Sequence, residues 1–155
     1  TPAETVPDIV SQCGEHGVTA AVVMSAGFRE SGDEGLALER ELLHRAGGHG
    51  VRILGPNCLG IVRTDIGLNA TFSAGNALAG NIAVISQSGA LCTAILDWAE
   101  MNDVGFSSLV STGITADASG VTGVTLDNGR ELPCQMVCIG KGVRPNVEFL
   151  EGSVV

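Results

Sequence analysis

The sequence predicts an α/β fold: a mostly parallel open sheet, followed by a C-terminal β-hairpin and strand. Three observations carry this. Short apolar, β-branched runs at Val18–Met24, Val51–Leu54, Asn81–Ile85 and Val104–Ser111 read as buried strands. Helical patterns at Asp33–His49 and Gly89–Trp98 alternate with those runs, as in an open parallel sheet. Beyond residue 120 the pattern changes to two short runs around Asp127-Asn128-Gly129, which is a hairpin signal.

In chain order, Ala3–His16 is expected to be a helix, with Pro2 and Pro7 near its start and Gly17 at its end. Ser25-Ala26-Gly27-Phe28 is a small-residue turn at the carboxyl end of the first strand. Asp33–His49 sets Leu36, Leu38, Leu42, Leu43 and Ala46 among Glu and Arg. Its acidic residues come early, and Gly47, Gly48 and Gly50 end it. A rigid loop, Gly55-Pro56-Asn57-Cys58-Leu59-Gly60, leaves the second strand, and turns are expected from Thr64 to Gly80. The central stretch Asn81–Trp98 then runs strand, Ser86-Gln87-Ser88-Gly89, helix. Thr115–Gly120 has linker composition. Val121–Leu126 and Arg130–Pro133 form the expected hairpin, and Gln135–Ile139 a last strand that runs into Gly140–Asn146.

Composition narrows the function. A chain of 155 residues that is 45% hydrophobic buries one core, in one or at most two small units. No apolar run reaches the roughly 20 residues of a membrane-spanning helix, and the first residues lack a basic-then-apolar leader pattern, so a cytoplasmic protein is expected. Eight basic against 17 acidic residues, net −9, disfavour nucleic acid and anionic membranes as partners. With Lys141 as its one lysine, the chain must hold any phosphate mainly through backbone groups. Cys13, Cys58, Cys92, Cys134 and Cys138 are odd in number and scattered, which argues for free thiols over a disulfide framework. Cys134-x-x-x-Cys138 has neither zinc nor redox spacing, and no metal site is expected.

The candidate chemistry lies at strand ends. A strand that turns through small residues into a helix aims the helix's unpaired N–H groups and positive dipole end at the crevice, so Ser86, Gln87, Ser88, Gly89 and Ala90 are candidate anion contacts. The alternative is that Ser86 or Ser88 only caps the helix. The turns at Ser25–Phe28, Gly55–Gly60 and Ser86–Gly89 all follow strands, so they are expected to converge where such sheets bind ligands. A hydrolase reading fails, because the nucleophile elbow needs G-x-S-x-G and a later histidine. Here Ser86 and Ala90 flank the turn, and His16, His44 and His49 all precede it. No G-x-G-x-x-G follows a strand, which argues against a dinucleotide.

Ser25–Phe28 with Arg29-Glu30, the loop GPNCLG at Gly55–Gly60, GLNATF at Gly67–Phe72 and Asn81–Trp98 are specific when taken together. From Thr1 to about Thr112 the chain resembles the NDP-forming acyl-CoA synthetases and the succinyl-CoA synthetase α subunit. It is most similar to the synthetase-like region of bacterial protein lysine acetyltransferases that also carry a GNAT domain. The resemblance implies that residues 1–63 are part of a CoA-binding Rossmann-like unit and 64–80 a linker. Residues 81–114 would begin a flavodoxin-like unit, and 115–120 a junction. It places Gly27, Phe28, Asn57 and Cys58 near the thioester end of CoA or acyl-CoA, and the Ser86–Ala90 helix start at a phosphate. It also implies a glycine-rich βα turn ahead of Thr1 and a phosphohistidine downstream of Ser88. Neither is in this sequence, and no nucleotide-binding or GNAT module follows, so catalysis by this chain alone is not expected. Cys58 reads as a structural thiol, since no histidine partner is identifiable.

Residues 121–155, with the loop GKGVRPN, resemble a piece of flavin-dependent pyridine-nucleotide oxidoreductases. The leading expectation is therefore a CoA- or phosphate-binding portion of a larger ligase or acetyltransferase. The alternatives are a non-catalytic folded interaction unit and an FAD/NAD(P)H oxidoreductase fragment. Apolar strand edges left by a divided domain favour self-association into a homo-oligomer, or pairing with companion domains.

Overall fold

The structure, a computed structural model, describes residues 1–113, 123–125, 131–133 and 136–140. A 3₁₀ turn at Ala3–Thr5 leads into α1 (Val6–Glu15), whose Pro7 sits in the first turn, where a missing N–H costs nothing. β1 (Ala20–Val22), a 3₁₀ turn (Arg29–Ser31), α2 (Asp33–His49) and β2 (Arg52–Leu54) follow. Next come β3 (Gly60–Arg63), β4 (Leu68–Thr71), β5 (Ala79–Ser86), α3 (Gly89–Met101) and β6 (Phe106–Ser111). β7 (Gly123–Thr125), β8 (Glu131–Pro133) and β9 (Met136–Gly140) complete the described elements.

The strands form a two-stranded sheet β1-β2, a five-stranded sheet β4-β3-β6-β5-β9 and the hairpin β7-β8. Pairing follows the connections. β1 with β2 and β5 with β6 are parallel, because a helix carries the chain back each time. β3–β4, β3–β6, β5–β9 and β7–β8 are antiparallel. The α/β class, the C-terminal hairpin and the last strand thus stand as expected, with β9 laid along the edge of β5.

Two cores result. Val6, Val10, Phe28, Leu42 and Ala46 close around β1 and β2, while Val62, Val84, Cys92, Leu96, Phe106 and Leu109 pack α3 on the larger sheet. In the first core α1 lies tightly on α2, since a Cβ at Gly14 would collide with the side chain of His49. Arg45 bridges Asp8 of α1 and Glu41 of its own helix. Gly50, left-handed at φ 68°, ends α2, and the Val51 N–H returns to the Ala46 carbonyl at 2.9 Å.

Two expectations are corrected. The 64–80 stretch read as linker holds a 3₁₀ turn (Thr64–Ile66) and β4. Asp65, Gly67 and Asn69 read as turn residues, but the antiparallel ladder to β3 makes a strand of Leu68–Thr71. The alternation from Val18 to Ser111 also divides between two sheets, because β3 pairs with β6 and not with β2.

Candidate functional site

The site is built outward from the end of β5. Ser86 is buried; its hydroxyl accepts the Ser88 N–H at 3.1 Å, and its carbonyl accepts the Thr112 N–H at 2.8 Å. These bonds turn the chain sharply into α3. Ser88 has extended backbone, φ −86° and ψ 110°, and its Oγ accepts the Leu91 N–H at 3.2 Å, so it is the N-cap. Cys92 N–H reaches the Ser88 carbonyl at 3.0 Å. Gly89 and Ala90 supply the other N–H groups of the first turn, at the positive end of the helix. Gln87, Ser88 and Ala90 are exposed.

Gly55–Gly60 lies beside this helix start. Its first peptide, Gly55–Pro56, is cis, and Asn57 takes the left-handed conformation at φ 51°, which Asn tolerates. The Asn57 side chain is exposed, while its N–H donates to the Ser25 carbonyl at 3.0 Å. Leu59 N–H donates to the Ser111 hydroxyl at 3.1 Å, across 52 residues of sequence. A Cβ at Gly89 would sit 3.4 Å from that of Leu59, and one at Gly113 would collide with the Pro56 carbonyl. The loop therefore touches the turn after β1 on one side and the ends of β5 and β6 on the other.

The turn after β1 is fixed differently. Ser25 Oγ donates to the Thr1 carbonyl at 2.8 Å, and Gly27, at φ 106°, donates its N–H to Glu30 Oε1 at 2.7 Å. Arg29 then forms an ion pair with Glu39 of α2, whose side chain is 1% exposed. The Arg29 Nε donates to both Glu39 oxygens, at 2.8 and 3.0 Å, and the Arg29 backbone N–H reaches Oε2 at 3.3 Å. An apolar groove of about 410 Å³ between α1 and β1, lined by Val6, Ile9, Cys13, Val22 and Met24 among others, opens beside Ser25.

Of the residues expected at the site, Asn57, Gln87, Ser88 and Ala90 are exposed at the loop cluster, and Gly27 and Gly89 are half-buried there. Three side chains are not open to a ligand. Phe28 is fully buried in the first core, and Ser86 is spent on the turn. The Cys58 thiol is buried and faces the Val23 carbonyl at 3.4 Å. Apolar or desolvated side chains fold inward, so Phe28 and Cys58 offer a ligand only backbone. Burial also pushes the Cys58 thiol up from its ordinary range, which disfavours the thiolate and agrees with a structural role. Cys13 and Cys58 are free thiols, while Cys134 and the side chain of Cys138 lie outside the described residues, as do Lys141 and the rest of the loop through Asn146.

His16, His44 and His49 are exposed, on the end of α1 and along α2. No group of three His, Cys, Asp or Glu able to hold a metal occurs among the described residues, and no helix there is long and apolar enough to cross a membrane. Sequence reasoning passed over Ser111, which nothing local distinguishes. It also passed over Glu39, whose place between Leu36 and Leu42 on the apolar stripe of α2 was a visible signal.

Residues 1–64 match the model of a CoA binding domain, and residues 79–125 that of a succinyl-CoA ligase like flavodoxin domain. Over these residues the chain fits the NDP-forming acyl-CoA synthetase family. Among curated members of that family it is 53% identical over 112 residues to acetate–CoA ligase [ADP-forming] I of Archaeoglobus fulgidus, covering 72% of this chain and 16% of that one. It is 38% identical over 150 residues to acetate–CoA ligase [ADP-forming] I subunit alpha of Pyrococcus furiosus, covering 97% of this chain and 32% of that one.

The solved synthetase-family structure of the dinucleotide forming acetyl-coenzyme A synthetase 1 of Ca. Korarchaeum cryptofilum, in complex with phosphate and ADP, superposes with a TM-score of 0.71. It is 43% identical and covers 75% of this chain and 25% of that one. The chain thus spans a third or less of the length of these relatives. Synthetase-family similarity also runs past Thr112, since the flavodoxin match continues through 115–120 to residue 125.

Proposed function

We propose that this chain is the CoA-binding and phosphate-facing portion of an ADP-forming acyl-CoA synthetase. The observation that carries the reading is the Gly55–Gly60 loop, bonded at Asn57 to the turn after β1 and at Leu59 to the end of β6. Two of the three converging turns fall inside the match to the CoA binding domain, and the third opens the flavodoxin match. In this reading residues 1–63 act as the CoA unit and 81–114 as the start of the phosphate unit. β3 is the strand of the first that pairs into the sheet of the second.

Each group has a definite task. The Gly89 and Ala90 N–H groups hold anionic phosphate oxygens without a cationic side chain, as a chain of net −9 requires. Asn57 and the backbone of Gly27–Phe28 orient the CoA thioester end against that phosphate. The chemistry served is exchange between an acyl phosphate and an acyl thioester: the CoA sulfur bonds to the acyl carbon and inorganic phosphate leaves. Here the chain's contribution is positioning and charge stabilisation. Companion domains of the same synthetase would supply the nucleotide step, and an acetyltransferase assembly is the other setting for the same portion.

Thermal-shift titration with CoA, acetyl-CoA, ADP, ATP, NADH and FAD tests this, since a ligand that binds only the native state raises the melting temperature. A rise with CoA or acetyl-CoA, abolished by Ser88→Trp, is the expected result. No rise with either overturns the reading in favour of an idle folded unit, and a rise with FAD or NADH alone moves the function to residues 121–155.

A further inference from the structure

Resting on the CoA reading, we propose that Glu39 is a positioning residue: acting through Arg29, it sets the Ser25–Phe28 turn in the shape that receives CoA. Its carboxylate, 1% exposed on α2, takes two bonds from the Arg29 Nε, a contact from Nη2 and one from the Arg29 backbone N–H. Side-chain and backbone donors of one residue thus meet one buried anion. This fixes both the position and the direction of the chain as it leaves Phe28.

The same turn is tied at its other points by single bonds: Ser25 to Thr1, Gly27 to Glu30, and Asn57 to the Ser25 carbonyl. Gly35, one turn before Glu39 on α2, has no room for a Cβ because the Phe28 carbonyl lies against it, so α2 touches the turn at two successive levels. Burying a charge pair is a poor way to gain stability, because replacing both partners by apolar residues of equal volume is often neutral or better. Position is what the pair supplies. The side chain touches no ligand site itself; its effect passes through the backbone to Gly27 and, by the Ser25–Asn57 bond, to Gly55–Gly60.

The test separates position from stability. Glu39→Met and Arg29→Lys are compared with the parent in melting temperature, in amide hydrogen exchange at Gly27 and Asn57, and in CoA affinity by calorimetry. The expected result is a lowered melting temperature, since one partner of the pair is changed, with exchange at Asn57 accelerated about tenfold more than at Leu109 in the second core, and CoA bound about tenfold more weakly, with Glu39→Gln between parent and Glu39→Met. If Glu39→Met does not fold, Arg29→Lys, which keeps the charge and loses the fork, decides. Unchanged exchange at Gly27 and Asn57 in a folded variant overturns the positioning role. A parent that fails to bind CoA overturns the functional reading, whereas a parent that binds with variants equal to it overturns the role of Glu39 alone.

Discussion

After β1 the chain passes through Ser25–Phe28 and a 3₁₀ turn before α2 starts at Asp33, whereas after β5 it passes only Gln87 and Ser88 before α3. Both turns end a strand that pairs in parallel, yet they are fixed by different chemistry. The first is held by the ion pair of Arg29 with buried Glu39 and by Phe28 plugged into the core; the second by the hydroxyls of Ser86 and Ser88. The first arrangement separates the start of α2 from the strand by a 3₁₀ turn, and α2 has no side-chain cap at Gly32. The second brings the helix start to the strand end and leaves main-chain donors at the surface. Short neutral hydroxyls can fix a backbone without filling the space in front of it.

The comparison can be broken from the core outward. Phe28→Ala should cost about 3–5 kcal/mol and Leu109→Ala about 2–5 kcal/mol, read from urea midpoints. Hydrogen exchange should accelerate first in α2 for the former and in α3 for the latter, and identical exchange patterns would show one core, not two. Ser111→Ala leaves the buried Leu59 N–H without its acceptor and should cost about 1–3 kcal/mol, against no loss for Ser107→Ala beyond its own single bond to the Ile82 carbonyl. Ser88→Ala should cost about 0.5–2 kcal/mol through the lost cap while leaving phosphate binding intact, since the Gly89 and Ala90 donors remain.

The smaller effects concern titration. In native alkylation at pH 8, Cys13 should react well before Cys58, whose raised thiol range keeps it protonated; equal rates would mean that the Gly55–Gly60 loop opens. The Arg63 guanidinium beside Asp65 holds that carboxyl below the ordinary aspartate range. Its folded-state value is therefore the lower one. Any stability it lends is present above the unfolded aspartate range and lost as pH falls through the folded value. An NMR titration should show this low midpoint, and Arg63→Gln should return it upward.

Much of this was legible in the sequence, for reasons that differ by element. α2 carried acidic residues at one end, glycines at the other and an apolar stripe between, and it occupies Asp33–His49 as read. α3 was read to Trp98 and continues to Met101, because nothing in Trp98–Met101 stops a helix and Asn102 takes the C-cap. The first strand was read as Val18–Met24 and pairs only over Ala20–Val22, where β2 is opposite. β4 was missed because its strand character comes from its partner, and β3 because Ile61 and Val62 are too short a run, between a loop and a turn, to read as a strand. At the site, the convergence of the three turns was readable from topology. The inward facing of Phe28 and Cys58 was not, since an apolar residue in a turn motif looks the same whether it meets a ligand or the core.

The ladder between β3 and β6 also sets an order of events in time. Gly60 pairs with Ser111, and the Leu59 N–H waits for a hydroxyl that is synthesised 52 residues later. As the chain leaves a ribosome, α1, α2 and their two strands can close on their own core while Gly55–Gly60 still lacks half of its bonds. The loop takes its final form only when β6 arrives. The loop cluster is thus a late product of synthesis, and a chain interrupted before Ser111 carries a folded first core beside an unfinished Gly55–Gly60 loop.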